Sequence, residues 1–192
     1  IAQKISSARK KVAPILKEEL ELLLSDLGME NARFSIKVKS VANYFSNGKD
    51  ELDFLFSANK GGSFGELKKV ASGGELSRIM LAVKKVLSEN TKLPTIIFDE
   101  IDTGVSGEVS NKIAAIMQQM SMHMQVISIT HLPQIAAKGN NHYKVYKEEI
   151  NSVTTTNLKQ LTADERIVEI AEMLSGKDIS ETAITHAKEL LN

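Results

Sequence analysis

From the start of the chain, apolar positions recur at steps of three and four: Ile5, Val12, Leu16, Leu20, Leu23, Leu24 and Leu27. That spacing predicts a helix over residues 2–27, bent or started at Pro14 and ended by Gly28. From residue 33 the period drops to two. Phe34, Ile36 and Val38 share one side of a strand over 33–40, with Ser35, Lys37 and Lys39 on the other. Leu52, Phe54 and Phe56 share one side of a second strand over 51–57, and Ser46-Asn47-Gly48 between the two is a turn signal. The pair reads as an antiparallel hairpin with one wet face. A glycine-rich run follows, from Asn59 through Gly61, Gly62 and Gly65.

The rest of the chain alternates helices with short apolar runs. Leu76, Ile79, Met80, Val83, Val86 and Leu87 define one face of a helix over 75–89. Val109, Ile113, Ile116, Met117 and Met120 define the inner face of another over 106–121. Two apolar runs, at 95–98 and 126–129, are separated by one helix, which suits parallel strands buried on both faces. Residues 142–150 and 152–160 read as further strands. Thr162-x-x-Glu165 is a capping box that opens a helix to about Ser175, and a last helix runs from about Ser180 to Leu191. The class is α/β.

Composition narrows what such a chain does. At 192 residues, 42% hydrophobic and 25% charged, it can bury a core and is neither disordered nor low-complexity. Lys plus Arg and Asp plus Glu each total 24, so a strongly basic nucleic-acid binder is excluded while a local basic patch is not. Lys4, Arg9, Lys10, Lys11 and Lys17 precede the first acidic residue, Glu18. They read as a solvated helix face, as the stub of a coiled coil, or as a phosphate-contacting patch. The absence of Cys excludes disulfides and thiolate metal sites, and no apolar run approaches the roughly 20 residues of a membrane span. The chain opens on Ile1 rather than Met, in a charged stretch unlike a signal peptide, and reads as a piece of a longer protein.

Four signals carry chemistry. The run 95–98 ends in Asp99-Glu100 and the run 126–129 ends in Thr130-His131. In an open α/β sheet, ligands bind at the carboxyl ends of the strands, where these side chains stand. Asp99 and Glu100, being consecutive, point to opposite faces and so can do different work. Ser72-Gly73-Gly74-Glu75 is a capping box whose two glycines cost helix stability, which suggests that something must approach the backbone there. Exposed N–H groups at a helix start bind phosphate well. Asp102-Thr103-Gly104-Val105-Ser106-Gly107 is a Gly-rich turn directly after the acidic pair, which otherwise reads as a tight loop capped by Ser106.

Taken in order, these segments resemble the ATP-binding-cassette superfamily in its SMC-like branch. Residues 70–78 resemble the signature motif, 95–100 a Walker B strand, 101–107 a D-loop and 129–131 the switch-histidine loop. Asn59-Lys60-Gly61-Gly62 departs from the Asn-Pro-Gly pattern of the branch. The resemblance implies the C-terminal lobe of an ABC/SMC-type P-loop ATPase head: a mainly parallel sheet flanked by helices, with an antiparallel hairpin and an N-terminal coiled-coil stub. Residues 1–28 would be the end of the coiled coil and 29–192 the lobe. The Walker A pattern Gly-x-x-x-x-Gly-Lys-Ser/Thr does not occur in the chain; Gly48-Lys49 and Gly176-Lys177 are each followed by Asp. In the branch that loop lies in the N-terminal half of the head.

The resemblance further implies a role for each residue. Asp99 would hold Mg2+, Glu100 would polarise the attacking water, and His131 would sense the γ-phosphate of ATP. Ser72, Gly73 and Gly74 would meet the γ-phosphate held by a second head, Glu75 would belong to the same nucleotide-binding motif, and Asp102 would belong to a loop that crosses the dimer interface. The implied function is ATP-dependent head pairing and hydrolysis in DNA double-strand break repair and recombination, with the fragment inactive alone. The implied partners are the N-terminal lobe of the same protein, a second copy across an ATP sandwich, and DNA, with no membrane. The implied location is the bacterial cytoplasm at the nucleoid. Two other readings stand beside it: an ABC subunit of a transporter, and a docking domain that has kept the fold without the activity.

Overall fold

Leu20 and Leu24 are buried one helical turn apart and fasten the first helix, α1 (Ala2–Asp26), to its neighbours. The computed structural model describes residues 1–192 except 92, 100, 103, 106, 151 and 152. α1 runs unbroken through Pro14. Gly28, at φ 75°, then ends it. The Gly28 N–H donates to the Ser25 carbonyl at 3.1 Å and the Met29 N–H to the Leu24 carbonyl at 2.8 Å, a Schellman arrangement that only a left-handed residue permits without strain. The described chain divides into two compact units, Ile1–Leu93 and Pro94–Asn192.

In the first unit, β1 (Arg33–Phe45) and β2 (Gly48–Ser57) form the expected hairpin, in register from Arg33 opposite Ser57 to Ser40 opposite Asp50, with an irregularity before Phe45. Phe34 and Phe56 are fully buried, and their rings pack at 5.2 Å. The apolar face turns wet toward the hairpin tip, where Leu52 is exposed. Asp50 is the buried tie between hairpin and helix. It accepts the Arg9 guanidinium at 3.1 Å and the Ser40 hydroxyl at 2.8 Å. Burial pushes the Asp50 carboxyl up, but hydrogen bonds from Ser6, Ser40 and Arg9 outweigh it and hold the group below its usual range. Arg9 is thereby tied to the hairpin; of the basic run, Lys4, Lys10 and Lys11 stay exposed.

Two short elements follow that periodicity does not announce: β3 (Gly65–Glu66), paired antiparallel to β2, and the single-turn α2 (Leu67–Val70). Gly61 takes φ 77°, and a Cβ on Gly62 would sit 2.8 Å from the Ser57 hydroxyl and 3.1 Å from the Asn59 carbonyl, so this turn needs both glycines. α3 (Gly73–Asn90) is longer than expected, and its buried side is rotated. Ile79, Leu81, Ala82 and Val86 are buried, whereas Met80 and Leu87 are exposed.

In the second unit, β4 (Thr95–Asp99) and β5 (Gln125–Ile129) pair in parallel, residue by residue from Thr95–Gln125 to Asp99–Ile129. α4 (Gly107–Ser121) crosses between them and buries Ile113, Ile116, Met117 and Met120. The expectation that both runs are buried on two faces fails. Phe98 is 6% exposed, but on the other face Ile97, Ile127 and Ile129 are 61%, 41% and 52% exposed. An apolar run marks residues as apolar and does not name the surface, if any, that covers each face. The parallel part of the sheet is likewise smaller than expected: among the described residues only β4 and β5 are parallel.

The unit is completed by α5 (Pro133–Lys138), the antiparallel hairpin β6 (Tyr143–Ile150) and β7 (Val153–Gln160), α6 (Ala163–Ser175) and α7 (Glu181–Leu191). Ala137, Ile170, Ala171, Ala183 and Ala187 form a small core between α5, α6 and α7. Lys144 pins β6 to α6 through Glu169 and, at 2.9 Å, Glu172. The capping box Thr162–Glu165 is formed in both directions.

Candidate functional site

The first turn of α3 is built by its own residues. The Ser72 hydroxyl accepts the Glu75 N–H, and the Glu75 carboxylate turns back to accept the Ser72 N–H at 2.7 Å and the Ser72 hydroxyl at 2.7 Å. The bond from the Ser72 backbone, then that from its hydroxyl, holds the Glu75 carboxyl below its usual range. With that donor taken, the first N–H groups lacking an intrahelical acceptor are those of Gly73 and Gly74. A Cβ on Gly73 would meet nothing within 4 Å, and its φ is not positive. Neither the backbone nor the packing of this chain asks for glycine at 73. Arg78 braces the turn from behind, donating to the Gly74 carbonyl at 3.2 Å and to the Leu27 carbonyl at the end of α1 at 3.0 Å. Sequence reasoning missed this brace, because nothing in the spacing links residues 27 and 78.

In the second unit, parallel register places Asp99 directly opposite Ile129. The carboxyl ends of the two strands are therefore side by side, with Asp99 exposed at one and Thr130-His131 leaving the other. The His131 side chain is 66% exposed. Glu100, Thr103 and Ser106 lie outside the described residues. Gly104 takes φ 74° in the loop toward α4.

The Asp102 side chain is fully buried. Its carboxylate turns inward and accepts the Thr130 hydroxyl. It also stands 3.8 Å from the His131 Nδ1. Thr130 in turn accepts the Leu132 N–H at 3.0 Å. Asp102 and Thr130 thus tie the two strand-end loops to each other; sequence reasoning assigned Thr130 no role of its own. Among the described residues no group of three His, Cys, Asp or Glu side chains is arranged to hold a metal ion. Asp99 offers an exposed carboxylate, which suits a magnesium ion that keeps most of its waters and takes further oxygens from substrate phosphates.

Solved structures define the class. An SMC head domain with coiled coil and joint from Pyrococcus yayanosii aligns with 86% of this chain and 30% of its own, at 16% identity and a TM-score of 0.62. An SMC head from Pyrococcus furiosus, with an extended coiled coil and bound to the C-terminal domain of ScpA, aligns with 91% of this chain and 41% of its own, at 15% identity and 0.61. A third structure, from work on ATP-driven dimerization and DNA-stimulated activation of SMC ATPases, aligns with 88% and 98% at 16% identity and 0.55. The fold is that of the C-terminal lobe of an SMC-type head.

No family model matches the chain. Individual relatives do. DNA repair protein RecN of Halalkalibacterium halodurans is 40% identical over 192 residues, 98% of this chain and 34% of the relative. RecN of Deinococcus radiodurans is 41% identical over 191 residues, 100% and 33%. RecN of Bacillus subtilis is 40% identical over 205 residues, 99% and 36%. The chain is similar to the C-terminal part of the RecN proteins and spans about a third of the length of the relatives it matches.

Proposed function

We propose that the chain is the C-terminal half of an ATP-hydrolysing head that acts in DNA double-strand break repair. The observation that carries the reading is the parallel pair β4–β5, whose adjacent carboxyl ends bring Asp99 and His131 to one rim. Phosphoryl transfer is mostly positioning and charge stabilisation, so a carboxylate, a water-orienting acid and a phosphate-sensing group at one rim are what it requires. Glu100 polarises the attacking water. His131 faces the γ-phosphate. Asp99 holds Mg2+, which when bound neutralises phosphate charge. The Gly73 and Gly74 N–H groups, with Ser72, receive the γ-phosphate of the nucleotide held by a second head, and Glu75 holds the turn that presents them. Pairing of two heads across ATP then precedes hydrolysis, in line with a structural neighbour described for ATP-driven dimerization.

This reading makes the N-terminal lobe, with its Walker A loop, an obligatory partner, and the chain alone inactive. The bare face of Ile97, Ile127 and Ile129 supports a missing cover. Residues 1–28 are then the end of a coiled coil; Val12, Ile15 and Leu22 are exposed at steps of three and seven, on a side of α1 away from its buried residues. DNA is the partner of the intact protein. Residues 1–93 hold 16 Lys and Arg against 11 Asp and Glu, and residues 94–192 hold 8 against 13, so the zero net charge hides a basic first unit. No helix among the described residues is long and apolar enough to cross a membrane, and the proposed location is the cytoplasm at the nucleoid. The 40% identity to DNA repair proteins supports this reading over a transporter subunit. The test is Glu100→Gln in the intact protein. ATP binding and head pairing should persist while turnover falls about 10²–10⁴-fold, the worth of a general base. Wild-type turnover in that variant would remove Glu100 from the mechanism.

A further inference from the structure

Asp102 has no part in the mechanism above, yet it is held in an unusual way. Its side chain is wholly buried, and its Oδ1 has no hydrogen-bond partner among the described residues. A buried carboxylate is costly unless paired, and a half-satisfied one calls for an explanation. Its Oδ2 faces two groups on the neighbouring strand end, the Thr130 hydroxyl, which donates to it, and the His131 Nδ1 at 3.8 Å. The His131 ring is 66% exposed, so packing does not orient it. What holds the loop is Thr130, clamped between Asp102 and the Leu132 N–H at the start of α5.

We propose that Asp102 is a positioning residue for His131. Its buried carboxylate anchors the loop after β5 through Thr130 and lies beside Nδ1, which leaves Nε2 as the nitrogen turned outward to the ligand. The same contact joins the loop after the Asp99-Glu100 strand to the loop bearing the histidine, so that a shift in one moves the other. The proposal rests on the reading that His131 reaches the nucleotide.

The test uses the intact protein and four variants. Thr130→Val should lower ATP turnover about tenfold, the scale on which loss of an outer-shell partner acts, with KM for ATP within about twofold. Thr130→Ser, which keeps the hydroxyl, should stay within about twofold of wild type. In a His131→Ala background, Thr130→Val should cost nothing further. Selective 15N-histidine labelling supplies a readout that mere destabilisation would not move: Thr130→Val and Asp102→Asn should both displace the His131 ring signals while those of His123, His142 and His186 stay in place. A Thr130→Val loss that is equally large without His131 overturns the proposal, as does wild-type turnover in Thr130→Val while His131→Ala is impaired. If His131→Ala itself turns over normally, the nucleotide reading of His131 fails and the spectra alone decide: unchanged His131 signals in both variants overturn the positioning role, and displaced signals sustain it.

Discussion

Gly73→Ala separates what the fold needs from what the ligand needs. At this position a Cβ would meet no atom within 4 Å, and φ is in the ordinary negative range. Alanine there is free of strain and removes conformational freedom from the unfolded chain, so the substitution should stabilise by about 0.4–1 kcal/mol. With a urea m-value of about 2 kcal/mol/M for a chain of this size, the midpoint should rise by about 0.2–0.5 M. Function should move the opposite way. If a γ-phosphate approaches the Gly73 N–H, the added methyl sits where the ligand must come, and displacement by about 1 Å costs on the order of 100-fold in rate. The assays are equilibrium urea unfolding of the chain and ATP turnover by the intact protein carrying the same change. A fall in the midpoint would show that glycine 73 serves the fold. An unchanged or raised midpoint with wild-type turnover would show that nothing approaches the turn.

Two further predictions test how the site is supported. Arg78→Ala removes the brace from the Gly74 and Leu27 carbonyls and should destabilise the chain by about 1–2 kcal/mol, read as a lower urea midpoint, with Arg78→Lys recovering only part because one ammonium cannot span both acceptors. Glu165 is held at about 2, against an ordinary 4.5, first by the Lys159 ammonium and then by the Thr162 backbone N–H. A depressed carboxyl contributes stability that is present above its ordinary value and lost as the pH falls toward the folded one. The Tm gap between wild type and Glu165→Gln should therefore be open at pH 7, shrink below about pH 4.5 and close near pH 2; a gap that persists at pH 2 would contradict the cause given.

Much of this architecture was legible because local chemistry decided it. The hairpin followed from alternation around Phe34 and Phe56, and both capping boxes followed from Ser72-x-x-Glu75 and Thr162-x-x-Glu165, whose partners lie three residues apart. What was not legible depends on distance. β3 and α2 are too short to show a period. Met80 and Leu87 are apolar at helical spacing but exposed, and Ile97 and Ile127 are strand residues with one bare face; sequence marks a residue as apolar without naming the surface that covers it. Asp102 was placed by its neighbours along the chain, as part of the Gly-rich turn after the acidic pair. Its partner is Thr130, 28 residues away, a pairing that the parallel register of β4 and β5 brings about.

The central claim is that the chain holds one half of a composite ATPase site. Its most direct test is ATP hydrolysis by the chain alone and after co-expression with the N-terminal lobe of its parent protein. The account predicts no magnesium-dependent turnover by the chain alone, at any concentration, and turnover in the combined protein that is lost with Glu100→Gln. Turnover by the isolated chain, or none by the combined protein when its heads are paired and ATP is bound, would contradict it.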